Sequence, residues 1–335
     1  LVFRNFSSSG VCITYPSAPI VLGTIVIFCT GAVPAISSIV RKMTTVAEKI
    51  VVMTPCYNIF FNSIVNNGRN VLESRLHYEA GKYSIDYEDL EQKLADPQTS
   101  MLILCNPHNP VGRIWDRETL ERIGELCFQH HVLVLSDEIH CDITRPGTEY
   151  IPFASVSEHC KYNSITCVAP TKTFNLAGFQ TAAVIVPDET LRHRVNRGLN
   201  TDEVAEPNVF AAIAPVAAFR HGAEWLDELR EYLWENRKFA EDFIREEIPE
   251  LRTVSADATY LLWIDCNALP GDLSELAEFI RKESGLYVCD GREYGNGYGF
   301  LRMNLACRRE LLKEGLERLK RSIHSYRKGI SNGII

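Results

Sequence analysis

Short apolar runs rich in β-branched residues recur along the first two thirds of the chain. Their length and composition are typical of buried strands; they are Thr24 to Cys29, Ile50 to Thr54, Met101 to Cys105, Val132 to Ser136, Ser164 to Val168 and Thr181 to Val186. Between several of them the apolar residues follow a helical spacing, as in Val33 to Lys49 and Asp116 to His130. Strands that alternate with amphipathic helices predict an α/β domain with a mostly parallel sheet.

The pattern changes after about Phe219. It predicts a long charged helix, two further strands and another helix, over roughly Glu224 to Glu247, Tyr260 to Asp265, Phe300 to Asn304 and Leu273 to Ser284. We therefore expect a large domain at residues 1–218 and a smaller C-terminal α+β domain at residues 219–335. The tail after Tyr326 is expected to be loose.

Composition narrows the classes of function. A formal charge of -8 and a pI near 5.7 argue against a nucleic-acid or anionic-membrane surface, because both favour a basic face. The longest apolar run near the start, Ile20 to Cys29, is far shorter than a membrane span and is interpreted as a buried strand. The 11 cysteines stand singly, without a CxxC pair, which predicts core-filling thiols in a reducing cytoplasm rather than disulfides or zinc ligands. We expect a small-molecule partner.

Polar or glycine-containing positions follow the ends of five predicted strands, where open α/β sheets bind ligands. They are Gly31 with Ala32, Tyr57, Asn109, Asp137 and Lys172. Each position has an ordinary alternative when taken alone: a turn, a half-buried core tyrosine, a rigid loop, a helix N-cap or a surface lysine. Together they form a set with one common use.

Pyridoxal 5'-phosphate (PLP) requires such a set. A lysine amine holds the cofactor as a Schiff base, a carboxylate keeps the pyridine nitrogen protonated, an amide addresses the ring hydroxyl, and backbone N–H groups at a helix start bind phosphate. The set therefore predicts Lys172 as the covalent anchor and Asp137 as the partner of the ring nitrogen. We expect no metal.

Three motifs resemble fold-type I class I/II aminotransferases, which have the fold of aspartate aminotransferase. They are Asn106 to Arg113, Ser136 to His140 and Ala169 to Gly178. The Asp-Glu-Ile-His of residues 137–140 and the Leu-Ala-Gly-Phe-Gln of residues 176–180 resemble the MalY/PatB branch of cystathionine β-lyases. The resemblance extends from about Thr24 to about Ser325.

The resemblance implies a role for each matching residue. Tyr57 stacks on the cofactor ring, Asn109 contacts its hydroxyl and the substrate, and His140 lies near the same hydroxyl. Gly31, Ala32 and Thr171 contribute to cofactor binding, and Arg302 binds the substrate α-carboxylate. Two positions depart from the family: Ala169 replaces the usual phosphate-binding serine, and Gln180 replaces an arginine of many aminotransferases.

The resemblance also implies a reaction and an assembly. A homodimer would cleave cystathionine or another cysteine S-conjugate to a thiol, pyruvate and ammonia. A PLP-dependent aminotransferase and a PLP-binding regulatory protein with a protein partner remain alternatives, since all three retain the same cofactor residues. Residues 1 to about 23 do not resemble the family, whose N-terminal segment, with a tyrosine that reaches the partner's active site, has no counterpart here. The chain alone is therefore expected to be a poor catalyst.

Overall fold

The structure, a computed structural model, describes residues 25–332 and the backbone of residues 5–7, 10–15 and 18–21. Three strands lie in that first part and pair antiparallel in the order β1-β2-β3; they are β1 (Asn5–Ser7), β2 (Gly10–Tyr15) and β3 (Ala18–Val21). The side chains of residues 1–24 are outside the described part of the structure. The expectation that residues 1 to about 23 do not resemble the family concerns these residues.

A seven-stranded sheet forms the centre of the fold. Its strands are β4 (Val26–Cys29), β5 (Lys49–Thr54), β6 (Asn70–Arg75), β9 (Thr99–Cys105), β10 (Leu133–Asp137), β11 (Ser164–Val168) and β12 (Ala182–Ile185). Their order is β4-β12-β11-β10-β9-β5-β6, and β12 is the member of this described sheet that pairs antiparallel with its neighbours. A small antiparallel hairpin, β7 (His77–Glu79) with β8 (Lys82–Ser84), follows β6. The predicted mostly parallel α/β sheet is confirmed.

Both faces of this sheet are buried. Val51 and Met53 of β5 point into one hydrophobic core, and Ile50 and Val52 point into the other. Successive side chains of a strand face opposite ways, so a sheet covered on both sides needs apolar residues at every position. This burial explains the uninterrupted apolar runs in the sequence.

Helices cover the sheet and connect its strands. They are α1 (Ala32–Met43), α2 (Ile59–Val65), α3 (Tyr87–Leu94), α4 (Arg117–Gln129), α5 (Glu158–Tyr162), α6 (Pro170–Thr173), α7 (Glu189–Thr201) and α8 (Val209–His221). Aspartate side chains begin several of them; the Asp116 carboxylate accepts from the Thr119 amide at 2.8 Å at the start of α4. Short 3-10 helices lie at Phe153–Ser155, Ala177–Phe179, Leu273–Glu275 and Gly291–Tyr294.

A second sheet lies in the C-terminal part. It consists of β13 (Arg252–Thr253), β14 (Leu261–Asp265), β15 (Cys289–Asp290) and β16 (Phe300–Asn304), antiparallel in the order β13-β14-β16-β15. Three helices, α9 (Ala223–Glu247), α10 (Leu276–Ser284) and α11 (Arg309–Ser331), pack against it around a core of its own. We propose that this unit is the small C-terminal domain, with its boundary near Phe219.

Three local predictions were wrong. The apolar run Ile20 to Cys29 does not form one strand, because β3 and β4 belong to different sheets. Helix α1 ends at Met43 rather than Lys49, since Thr44 is extended and Lys49 already pairs in the sheet. The C-terminal tail is helical to Ser331, because the Tyr326 hydroxyl donates to the Asp272 carbonyl at 2.9 Å and apolar side chains of this last segment pack on the second core.

Within the part of the chain that the structure describes, no helix combines the length and the apolar character that a membrane crossing requires.

Candidate active site

The carboxyl ends of the parallel strands bring the predicted site residues to one edge of the large sheet. Asp137, the last residue of β10, pairs with Cys105 on one side and Cys167 on the other. The loops that follow these strands also touch, since Ile139, Ala169 and Ala182 form one apolar cluster against which Ala32 packs. The predicted phosphate turn, aspartate loop and lysine loop therefore meet, although they are far apart in sequence.

Asp137 is a buried carboxylate without a strong partner among the described residues. It is 3% exposed, and its Oδ1 accepts from the Ile139 amide at a long 3.3 Å. Among the described residues no cation forms an ion pair with it. Burial raises the pKa of Asp137 from 3.8 to about 7, against smaller lowering effects of the Ile139 amide and the Lys172 charge. No helix begins after Asp137, so the alternative of a helix N-cap does not hold.

Lys172 lies in α6, directly after the strand next to that of Asp137. Proline at the first position of α6 favours the helical turn, and the side chain of Lys172 is half-buried. The Thr173 hydroxyl donates to the buried Asp142 carboxylate at 3.2 Å, which ties this turn to the loop after β10. The charge of Lys172 lowers the pKa of both Asp137 and His140, so its amine lies within electrostatic range of that loop.

His140 is buried and neutral. Burial lowers its pKa from 6.5 to about 3, and the positive charges of Lys172 and Arg302 act in the same direction. In the described part of the chain its buried Nδ1 has no hydrogen-bond partner, and its ring packs edge-on against Tyr260 at 5.8 Å. A buried polar atom without a partner at a ligand edge indicates a contact that a bound molecule would complete.

The loop that carries Asn109 is held from both sides. The ring of His108 bonds through Nε2 to the Pro55 carbonyl at 2.8 Å, and burial lowers the pKa of His108 to about 4, so this ring is a neutral donor. Gly112 has a φ of +74°, and a Cβ there would lie 2.6 Å from the Cβ of Ala256. The two anchors connect the Asn109 loop to the Tyr57 loop and to the segment before β14.

Tyr57 is half-buried beside these residues. Its ring packs edge-on against Phe60 at 5.7 Å. Burial and then the Asp137 charge raise the pKa of Tyr57, whereas the Arg302 charge lowers it. The phenol therefore lies within electrostatic range of both the buried carboxylate and the guanidinium.

Arg302 reaches the same site from β16 of the second sheet. Its Nη1 donates to the Asn109 Oδ1 at 3.4 Å, its Nη2 donates to the Cys289 Sγ at 3.5 Å, and its Cζ lies 4.7 Å from the ring centre of Tyr294. A guanidinium has five N–H donors, so two hydrogen-bond partners leave most of its donors available to a ligand. In the described structure Arg302 has no carboxylate partner.

The start of α1 is suited to an anion. Gly31 offers no side-chain cap, and the first turn contains no acidic residue. The N–H groups of Ala32 and Val33 have no acceptor inside the helix, and the helix dipole adds partial positive charge there. Thr171 is half-buried, Ala169 is buried, and Gln180 is exposed with a left-handed φ of 51°.

Sequence reasoning missed three residues at this edge. Tyr260 packs on His140. Burial raises the pKa of the Tyr260 phenol, and the charges of Arg302 and Tyr57 have smaller effects, Arg302 lowering it and Tyr57 raising it. The ring of Tyr294 lies under the Arg302 guanidinium. The Glu138 carboxylate accepts hydrogen bonds from the Ser136 hydroxyl at 2.9 Å and the Phe153 amide at 3.0 Å. Glu138 is adjacent to Asp137 in the motif and could have been found there, whereas the two tyrosines carry no local signal.

Comparison with known proteins agrees with this geometry. The model of the family "Aminotransferase class I and II" matches residues 20–319. Cystathionine beta-lyase PatB of Bacillus subtilis is 41% identical over 88% of this chain and 77% of its own length. Protein MalY of Escherichia coli is 31% identical over 90% of this chain and 77% of its own length. Cystalysin of Treponema denticola, whose crystal structure contains pyridoxal 5'-phosphate, superposes with a TM-score of 0.87 at 32% identity, covering 90% of this chain and 77% of that one. The predicted fold and branch are thereby confirmed, and the chain belongs to the class I and II aminotransferase family.

Proposed function

We propose that this chain is a PLP-dependent carbon–sulfur β-lyase that cleaves cystathionine or a related cysteine S-conjugate to a thiol, pyruvate and ammonia. The observation that carries the proposal is the buried, unpaired Asp137 at the same sheet edge as Lys172. The relatives named above support elimination over plain transamination, since one that is 41% identical is a cystathionine β-lyase.

The residues present fit PLP. A pyridinium N–H would give Asp137 the cation that it lacks, and Lys172 supplies the amine for the covalent bond. The free Nδ1 of His140 and the amide of Asn109 suit the ring hydroxyl, and the Tyr57 ring suits the plane of the heterocycle. Gly31 and Ala32 at the start of α1 would hold the phosphate.

PLP supplies an electron acceptor for the pair that an amino acid releases at its α-carbon. The residues of the chain supply the rest. Lys172 Nζ would accept the α-proton once substrate has displaced it, Asp137 would hold a proton at the ring nitrogen, and Arg302 would bind the α-carboxylate. With the α-proton removed, the bond from the β-carbon to sulfur breaks and the thiolate leaves with the bonding pair. The unsaturated three-carbon amine that remains would be hydrolysed by one water molecule to pyruvate and ammonia.

We also propose a cytoplasmic homodimer. The ten cysteines that the structure describes are free and mostly buried, which suits a reducing compartment. Helix α8 supports a partner subunit, because Val209, Phe210 and Ile213 on it are 75%, 61% and 63% exposed. Sedimentation of the PLP-loaded protein would test the dimer.

Product analysis tests the reaction. The PLP-loaded protein is incubated with cystathionine, with cysteine, and with alanine plus a keto acid. We expect pyruvate and free thiol in equal amounts from the sulfur substrates. Exchange of amino and keto groups without thiol release would identify an aminotransferase and contradict the lyase.

A further inference from the structure

Cys289 stands in register with Arg302 across the second sheet. The two residues pair between β15 and β16, and the Cys289 Sγ accepts from the Arg302 Nη2 at 3.5 Å. Eight of the described cysteines are buried, whereas Cys289 and Cys307 are half-buried. Cys289 packs against the edge of the core that contains Trp263 and Tyr294, and its half-buried thiol contacts Arg302 there.

Three neighbours fix the plane of the Arg302 guanidinium. The Tyr294 ring lies under it, the Asn109 amide oxygen meets Nη1, and the Cys289 sulfur meets Nη2. Tyr294 is itself rigid, since it is 1% exposed and its carbonyl accepts from the Cys56 amide at 2.9 Å. Without the sulfur, the Nη2 side of the group would have no partner among the described residues.

The chemistry of this contact preserves the charge of Arg302. A thiol sulfur is a weak, neutral acceptor, so it orients the guanidinium without neutralising it. The neighbouring carboxylate, Asp290, does not compete, because it pairs with Arg292 at 2.7 Å. The arginine therefore keeps its full positive charge for a ligand.

We propose that Cys289 is a positioning residue that orients Arg302 for the α-carboxylate of the substrate. The inference rests on the proposed function, in which Arg302 binds that carboxylate. Cys289 does not touch the reacting atoms, so it acts on substrate capture and not on the elimination step.

Three variants and one control test it in the PLP-loaded protein. C289A removes the acceptor and is expected to raise KM for the cysteine conjugate about two- to tenfold, the range for loss of one hydrogen bond to a weak acceptor, with little change in kcat. C289S keeps an acceptor and is expected to lie closer to the wild type. C289D places a carboxylate against Arg302 and is expected to raise KM more than C289A does. C307A, which changes the other half-buried cysteine, should leave KM unchanged.

Alkylation gives a readout that does not depend on turnover. L-Alanine, as a carboxylate ligand, is expected to slow the reaction of iodoacetamide with Cys289 and not with Cys307. An unchanged KM in C289A would overturn the positioning role. So would an equal rise in KM, with equal losses of kcat and melting temperature, in C289A and C289S. If the wild type releases no thiol, the proposed function fails, whereas a wild-type lyase with a defective R302K and an unaffected C289A contradicts this inference alone.

Discussion

The positive charge of Lys172 lowers the pKa of the Asp137 carboxyl, but burial of that carboxyl has the larger effect and leaves the pKa at about 7. Asp137 ends β10 and Lys172 lies just beyond the parallel neighbour β11, so both residues lie at one edge of the sheet. Lys172 therefore influences Asp137 without neutralising it, and the site retains a carboxylate that a cationic ring would complete.

The first prediction concerns the covalent anchor. Borohydride reduction of the PLP-loaded protein is expected to attach the cofactor permanently to Lys172, because Lys172 follows β11 at the sheet edge of Asp137 and its amine lies within electrostatic range of Asp137 and His140. Peptide mapping by mass spectrometry reads the position. K172A should carry no label, and K161A, which changes a lysine beside the exposed Tyr162, serves as the control. A label on any other lysine of the saturated protein would refute the assignment.

A second prediction concerns the affinity for PLP. D137A is expected to weaken PLP binding by roughly 3–5 kcal/mol, since a buried pyridinium would lose its counter-charge. D137N keeps the shape of the side chain without its charge, so it should show a similar loss. Fluorescence titration with PLP measures both. Wild-type affinity in D137N would show that the charge of Asp137 has no role.

The pH dependence of the cofactor-free protein forms a third prediction. Between about pH 4 and 7 the folded state keeps a proton on Asp137, whereas the unfolded chain, with an ordinary pKa of 3.8, has lost it. The contribution of Asp137 to the free energy of unfolding therefore falls as pH rises through this window, by about 4 kcal/mol at roughly 1.4 kcal/mol for each pKa unit. D137N should be more stable than the wild type at pH 8 and nearly equal to it at pH 4.

Urea unfolding at the two pH values measures this difference. Burial also raises the pKa of Glu138 to about 7, but Glu138 is present in both proteins and its effect largely cancels in the comparison. PLP should reduce the advantage of D137N at pH 8, because the ring nitrogen stabilises the wild-type carboxylate. A pH-independent difference between the two proteins would argue against titration of Asp137.

The fourth prediction concerns substrate capture. R302K is expected to raise KM for amino acids while PLP affinity stays unchanged, since an ammonium cannot form the two-pronged contact of a guanidinium with a carboxylate. Removal of one charge-assisted hydrogen bond corresponds to about 1.5–3 kcal/mol, or about ten- to hundredfold in kcat/KM. Steady-state kinetics and PLP titration separate the two effects. Identical kinetics in R302K would remove Arg302 from the site.

Local patterns in the sequence determined the large sheet and the residues that follow its strands. The runs that became β5, β9, β10, β11 and β12 were visible because both faces of the sheet are buried, which makes the strands uniformly apolar. Asp137 and Lys172 could be placed for the same reason: Asp137 ends one strand, Lys172 lies in the turn after its neighbour, and parallel strands end at one edge. The role of Arg302 in the site was predicted only from the family resemblance, since the local sequence alone indicates a surface residue on a strand.

Tertiary structure decided the surroundings of Arg302 and the limits of several elements. The approach of Tyr260 and Tyr294 to the site depends on the packing of the second sheet against the loops of the first, and the contact of Cys289 with Arg302 depends on the β15–β16 register. The break between β3 and β4 and the last turns of α11 likewise follow from partners distant in the chain. Strand and helix periodicity is encoded within a few residues, whereas register and packing result from burial of surfaces that distant segments supply together.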